Sequence, residues 1–156
     1  MENYTVGVIS DTHGLLRPEV EAFLAGVDLI LHAGDVGRAD LLTRLNALAP
    51  TLAVRGNVDR SEGVRTLPLT VAHELPGGVW IYMLHDLNDL DLVPEVAGFR
   101  VVVSGHSHVP RAVWRGEVLF LNPGSCGPRR FRLPVAAARL RVGDDGLHVE
   151  EHTFDL

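Results

Sequence analysis

Short apolar runs of strand length, each closed by a small polar cluster, constrain this chain more than any other feature. Val6-Gly7-Val8-Ile9 leads into Asp11-Thr12-His13, Leu29-Ile30-Leu31 into Gly34-Asp35, and Leu52-Ala53-Val54 into Gly56-Asn57. Later, residues 79–84 lead into His85, and Val101-Val102-Val103 into Gly105-His106-Ser107-His108. Runs this short and this rich in Val, Ile and Leu read as buried strands. Between the first three, residues 18–25 have helical spacing, with Pro18 suited to a first turn and Gly26 at the end. Residues 39–48 repeat the theme, with Leu41, Leu42, Leu45 and Leu48 on one face. Strand, helix, strand, helix, strand is a parallel βαβ array, which binds ligands at the carboxyl ends of its strands. Farther on, residues 111–114 and 117–121 flank Arg115-Gly116, and residues 136–142 and 147–154 flank Gly143-Asp144-Asp145-Gly146. Both pairs read as antiparallel hairpins. The expected fold is α/β, two packed mixed β-sheets flanked by helices, in one domain over residues 1–156.

The polar clusters offer the carboxylates of Asp11 and Asp35, the amide of Asn57 and the imidazoles of His13, His85, His106 and His108. Imidazole mixed with carboxylate suits manganese, iron, cobalt, nickel or zinc. Cys126 is the only cysteine, so a thiolate cage is excluded. Seven donors are too many for one ion. Two ions sharing a carboxylate use them all and leave room for a solvent bridge, the usual arrangement for in-line displacement at phosphorus. Two divalent ions outweigh both carboxylates and a bridging hydroxide, so the centre attracts an anion. They also bring the bound water's pKa toward roughly 7. The expected cofactors are two divalent transition-metal ions, manganese first, with nickel, iron, cobalt and zinc as alternatives. Singly, these clusters say little: Gly34-Asp35 and Gly56-Asn57 are common turn pairs, and Asp-Thr-His is an ordinary loop sequence. Five of them in order, each at a strand end, carry the weight.

In that order the clusters resemble the calcineurin-like metallophosphoesterase superfamily, and specifically its small cap-less phosphodiesterase branch, over nearly the whole chain. The family pattern is Asp-x-His after the first strand, then Gly-Asp, Gly-Asn, a His, and Gly-His-x-His. The resemblance implies that Asp11, His13 and His108 hold one metal, that Asn57, His85 and His106 hold the other, and that Asp35 bridges them. Asp35 and His106 then serve catalysis: the substrate phosphate bridges the ions, the bridging hydroxide attacks in line, and His106 or a water assists departure. Asn122-Pro123-Gly124-Ser125 also resembles a loop of that branch. Two positions depart from the pattern. Val58 stands where many members carry a histidine directly after Gly-Asn, and Asp86 follows His85 where glycine is common. Asp86 can tighten the second metal, crowd the substrate or bind solvent.

A second tier of residues flanks the clusters. His32 is read as a core histidine or as a hydrogen-bond donor behind the ligands. Arg55 and Asp59 flank Gly56-Asn57 and are read either as an ion pair orienting Asn57 or as solvated charges. Arg129 and Arg130 are candidates to meet a phosphate, or a solvated pair. His73, His148 and His152 are taken as surface residues. The net charge of −6 argues against an extended nucleic-acid footprint. A short oligonucleotide or small phosphodiester stays compatible. No leader precedes the first strand and no run of 18 apolar residues occurs, so no membrane association and a cytoplasmic location are expected. With 156 residues there is no room for an added specificity domain, so any cap comes from loops or from another copy of the chain in a homo-oligomer. The expected function is a binuclear metal-dependent phosphodiesterase acting on a small phosphodiester. The rivals are a phosphomonoesterase of the same fold and a non-catalytic scaffold that uses the fold for assembly.

Overall fold

The computed structural model describes residues 3–156. In chain order the elements are β1 (Tyr4–Ile9), α1 (Pro18–Leu24), β2 (Leu29–His32), α2 (Ala39–Leu48), β3 (Thr51–Ala53), β4 (Thr70–Leu75) and β5 (Val79–Leu84). A 3₁₀ turn (Leu87–Asp89), α3 (Pro94–Ala97), β6 (Phe99–Val103), β7 (Arg111–Arg115), β8 (Val118–Asn122), β9 (Val135–Gly143) and β10 (Gly146–Phe154) follow. The strands form two mixed sheets of five, ordered β10-β9-β1-β2-β3 and β4-β5-β6-β8-β7. β1, β2 and β3 are parallel, as are β5, β6 and β8; β9, β10, β4 and β7 add antiparallel edges. The second sheet thus has a parallel centre that the hairpin at its edge did not announce.

Alternation along the strands explains the layering. Val6 and Val8 of β1 face the second sheet, where they join Leu29, Leu31, Ile81, Met83, Val101, Val103, Leu119 and Leu121 in one core. Ile9 and Ile30 point the other way and meet Val20, Phe23 and Leu24 of α1 and Leu41 and Leu45 of α2. Each such fully buried aliphatic side chain contributes about 1.5–3 kcal/mol. Gly7 also faces α1, and a Cβ there would collide with Leu24 Cδ2. The helix packs this close to β1 because position 7 carries no side chain.

The helical layer is uneven. α1 and α2 cover the first sheet, whereas only α3, of four residues, and the 3₁₀ turn lie in the β5–β6 connection of the second. There Tyr82, Leu84, Val102 and Val118 form a small outer cluster with Leu90, Leu92, Phe99 and Phe120. Among the described residues no helix is long and apolar enough to cross a membrane. The carboxyl ends of β1, β2, β3, β5 and β6 lead into the polar clusters along one edge of the two sheets, and backbone bonds tie the loops together. Asp11 N–H donates to Gly34 O and His13 N–H to Asp35 O, both at 2.9 Å, and Gly105 N–H donates to His85 O at 2.9 Å.

Candidate metal centre

Leaving the strands, the chain must turn sharply to aim side chains back over the sheet edge. Among the described residues six non-glycine positions have positive φ, and Asp11, His13, Asp35, His106 and His108 are five of them. This left-handed region is disfavoured for residues with a Cβ and persists only where surrounding structure enforces it. Here the inter-loop backbone bonds do so. Gly56 serves the same crowding, since a Cβ there would run into the Asp35 backbone and carboxylate.

The donors converge. Asp11 is fully buried; its Oδ2 accepts from Ser10 Oγ at 2.6 Å and from His106 N–H at 3.2 Å. Its Oδ1 faces His108 Nε2 at 3.4 Å, His13 Nε2 at 3.8 Å and His85 Nε2 at 4.0 Å. Asp35 Oδ1 accepts from Val58 N–H at 3.0 Å, while Oδ2 faces His85 Nε2 at 3.2 Å and His13 Nε2 at 3.7 Å. His85 donates from Nδ1 to Ala33 O at 2.7 Å, which fixes its tautomer and presents Nε2 to the carboxylates. The rings group in pairs, His13 with His108 at 5.4 Å and His85 with His106 at 5.2 Å. That grouping parallels the two sets implied by the resemblance.

Four buried atoms here have no hydrogen-bond partner: Asp11 Oδ1, His13 Nε2, His85 Nε2 and His108 Nδ1. Each such orphan costs about 1–3 kcal/mol. Asp11 Oδ1, His13 Nε2 and His85 Nε2 converge, with His108 Nε2 beside them, and this convergence fits a cation. Asp11, His13 and His108 present ligand atoms within 4.8 Å of one another, and so do Asp11, Asp35 and His85. These Asp and His groups are arranged to bind divalent metal. The two groups share Asp11, whereas the resemblance makes Asp35 the shared carboxylate; Asp35 Oδ2 faces histidines of both ring pairs. Asn57 and His106 stand at the exposed rim.

The charge states follow from this packing. Burial works against the His85 cation, but the Asp35 carboxylate 3.2 Å away and the Ala33 carbonyl outweigh it and push its pKa up to about 9. Burial likewise opposes the Asp35 anion, yet His85 and the Val58 N–H hold it well below the usual carboxylate range. Without metal Asp35 favours a protonated His85, and a metal ion held by these two residues would take that proton's place. His108 is shifted down by burial, with the positive charge of Arg130 adding to the effect.

The second tier sorts differently from its sequence reading. His32 is fully buried, accepts from Gly34 N–H at Nδ1 (3.1 Å) and contacts Thr12 Oγ1 through Nε2 (2.9 Å). Because Nδ1 is an acceptor, Nε2 carries the proton and donates to Thr12, whose hydroxyl donates onward to Val36 O at 2.8 Å. Arg55 and Asp59 do not pair to orient Asn57. Asp59 is buried and accepts from Gly37 N–H at 3.0 Å and Gly56 N–H at 2.8 Å, so it clamps the turn through the backbone. Arg55 donates to Arg65 O at 3.1 Å. Asp86 Oδ1 caps the 3₁₀ turn at Asn88 N–H (3.0 Å), and Oδ2 lies 3.8 Å from His106 Nε2. Arg129 lines a separate groove with Thr153 and Phe154, and it is Arg130 whose charge reaches His108. Ser10 does not stand out in the sequence, because a serine before a loop carries no signal until its partner, the Asp11 carboxylate, is known. Asn122, within the Asn-Pro-Gly-Ser stretch, donates to Gly105 O at 2.9 Å and Ser107 Oγ at 3.1 Å, which holds the His106–His108 loop.

Two grooves meet at the centre. One of about 910 Å³ opens on the Asn57 and His85 side. Another of about 360 Å³ opens on the His106 side, and Asp86 lines both.

Sheets of this order with carboxylates and imidazoles at one edge define a metal-binding phosphoesterase architecture. Residues 4–145 match the calcineurin-like phosphoesterase superfamily domain, and the chain belongs to that superfamily. It is 37% identical to a probable metallophosphoesterase of Methanothermobacter thermautotrophicus, over 93% of this chain and 90% of that one. Among solved structures it is similar to a predicted phosphoesterase from Streptococcus pneumoniae (30% identity, TM-score 0.75, 98% of this chain and 91% of that one). In fold it also matches an archaeal phosphodiesterase (20% identity, TM-score 0.80, 96% and 99%). Vacuolar protein sorting 29 from Cryptosporidium parvum is a further fold match (18% identity, TM-score 0.76, 99% of each chain).

Proposed function

We propose that this protein is a binuclear metal-dependent phosphodiesterase acting on a small phosphodiester. The observation that carries the reading is the pair of grooves converging beside His85 and His106, with Asp86 in both walls. A diester has two ester arms to place, and a monoester has one. In this reading Asp11, His13 and His108 hold one ion, Asn57, His85 and His106 the other, and Asp35 lies between. Two bound divalent ions polarise a phosphoryl oxygen and supply a nucleophile at neutral pH. The chain's own residues do the rest. Ser10 and the His106 N–H fix Asp11, Val58 N–H fixes Asp35, and Ala33 O fixes the His85 ring. His106, exposed at the rim with Asp86 Oδ2 3.8 Å from its Nε2, lines the smaller groove and helps place the departing oxygen there, and a water supplies the proton that oxygen takes up.

A non-catalytic interaction protein is the second reading, favoured by the fold match to vacuolar protein sorting 29. The retained donor set and the four orphaned buried atoms support the enzyme. A phosphomonoesterase would need more cationic contacts for a dianion than Arg130 supplies. The family match over residues 4–145 supports a one-domain enzyme, and the lone Cys126, which needs no oxidising compartment, supports a cytoplasmic one. The test is hydrolysis of bis(p-nitrophenyl) phosphate by manganese-loaded protein: turnover abolished by a chelator is expected. Full loading without turnover on any diester or monoester would favour the interaction protein.

A further inference from the structure

The two grooves differ in charge and shape, and the difference bears on which diester fits. In the larger groove Arg55, Arg60 and Arg65 are matched by Asp59, Asp86, Asp89 and Asp91, so no positive excess remains. In the smaller groove Arg111 and Arg115 face a single carboxylate, Asp86, which already lies 3.8 Å from His106. That groove therefore selects an anionic arm, and at about 360 Å³ it lies within the size range of small-ligand sites.

It carries one aromatic side chain, Phe120. The Arg115 guanidinium lies over the Phe120 ring at 4.7 Å from the centroid, a planar platform of the kind on which bases stack. β7 and β8 set the order of parts. Arg111 pairs with Asn122 at the end nearest the metal centre, Val113 with Phe120 in the middle, and Arg115 with Val118 beyond. Arg111, Val113 and Arg115 alternate onto one face of an edge strand. Among the described residues the exposed Arg111 side chain makes no hydrogen bond or ion pair, so its fork of donors is available to a phosphate. Moving away from the centre, the groove presents an unpaired guanidinium and then the Arg115 guanidinium stacked on Phe120.

Resting on the phosphodiesterase reading, we propose that this groove binds a nucleotidyl arm of the substrate, with the phosphate next to the scissile one on Arg111 and the base on Phe120 and Arg115. The substrate class is then a short single-stranded oligonucleotide or dinucleotide, whose few phosphates need no extended basic surface. Asn88, also in the groove wall, supplies an amide toward the base edge.

The test is binding to manganese-loaded protein of thymidine 5′-monophosphate and of thymidine 3′,5′-bisphosphate, read by calorimetry. One charge-assisted contact predicts that the bisphosphate binds at least about tenfold tighter. Arg111→Gln should bring the ratio of affinities close to one, and Arg111→Lys should keep most of it. Equal affinities in the wild type, or a ratio that survives Arg111→Gln, would overturn the assignment. Turnover of bis(p-nitrophenyl) phosphate on the same preparation separates the outcomes. Turnover without bisphosphate preference removes the nucleotidyl arm alone, whereas no turnover of any diester removes the phosphodiesterase reading beneath it.

Discussion

Acid should destabilise the metal-free protein through His32, a residue that touches no substrate. Its ring is fully buried, its Nδ1 accepts from Gly34 N–H, and its Nε2 proton goes to Thr12. Protonating Nδ1 would set two N–H groups against each other in a dry interior. Burial, only partly opposed by Asp11 and Asp59, lowers its pKa from 6.5 to about 4. Between those values the unfolded chain binds a proton that the folded chain refuses, so stability rises with pH across the window and is lost as pH falls. The span from 6.5 to about 4, at about 1.4 kcal/mol per pH unit, amounts to about 3 kcal/mol. The comparison is wild type against His32→Asn, whose side-chain oxygen can still accept from Gly34 but does not titrate. Urea unfolding with a chelator present, from pH 7.5 to 4.5, gives both stability curves. The difference between the curves cancels other titrating groups. The wild type's advantage at pH 7.5 should shrink by about 2–3 kcal/mol by pH 4.5. A difference that stays constant within about 0.5 kcal/mol would show that His32 titrates normally and that the hydrogen-bond argument is wrong.

Four further outcomes are expected. Asp59→Ala leaves the Gly37 and Gly56 N–H groups unpaired, and at about 1–3 kcal/mol each the urea midpoint should report a loss of about 2–6 kcal/mol, with weaker manganese binding through Asn57. Manganese should bind with a stoichiometry of two and raise the melting temperature by several degrees at about 100 times the dissociation constant. Asp35→Asn should impair both events, and a normal stoichiometry in that variant would contradict a shared carboxylate. Val58→His should flatten the dependence of rate on leaving-group pKa across a diester series, since Val58 is exposed beside Asn57 and supplies no proton; an already shallow wild-type slope would mean that another residue supplies it.

Much of this architecture is legible in the sequence, and the reasons are local. α2 covers the positions its leucine spacing marks, and the hairpins at β7–β8 and β9–β10 fall within a residue or two of their apolar alternation. β4 is not legible in the sequence because it is an edge strand whose exposed positions, Thr70, Ala72 and Glu74, dilute its pattern, although Gly77-Gly78 after it is a turn signal. The four-residue α3 has too little length for any periodicity. Within the centre, side chains that follow apolar strands stand out as donors. Side chains whose work is to hold backbone do not. Asp59 looked like half of an ion pair because charge is visible in a sequence and a backbone N–H is not. Asp86 raised the same difficulty, since capping a turn and facing His106 both depend on where the 3₁₀ turn begins.

The positive φ values and the orphaned atoms belong to one design. Turning five candidate ligands into the left-handed region costs order 1 kcal/mol or more apiece, and leaving four polar atoms buried without partners adds a comparable burden. A bound cation offsets the second at Asp11 Oδ1, His13 Nε2 and His85 Nε2 and, by holding the rings, secures the first. The two-sheet core behind the centre is apolar and rigid enough to carry that strain in the metal-free state: Val8, Leu31, Met83 and Val103 lie fully buried on the strands that feed the ligand loops. Metal affinity and metal-free stability should therefore trade against each other at these positions. Replacing Asp35 or His108 by glycine, which accepts φ near +60° freely, should raise metal-free stability relative to the alanine variant at the same site while abolishing binding equally in both.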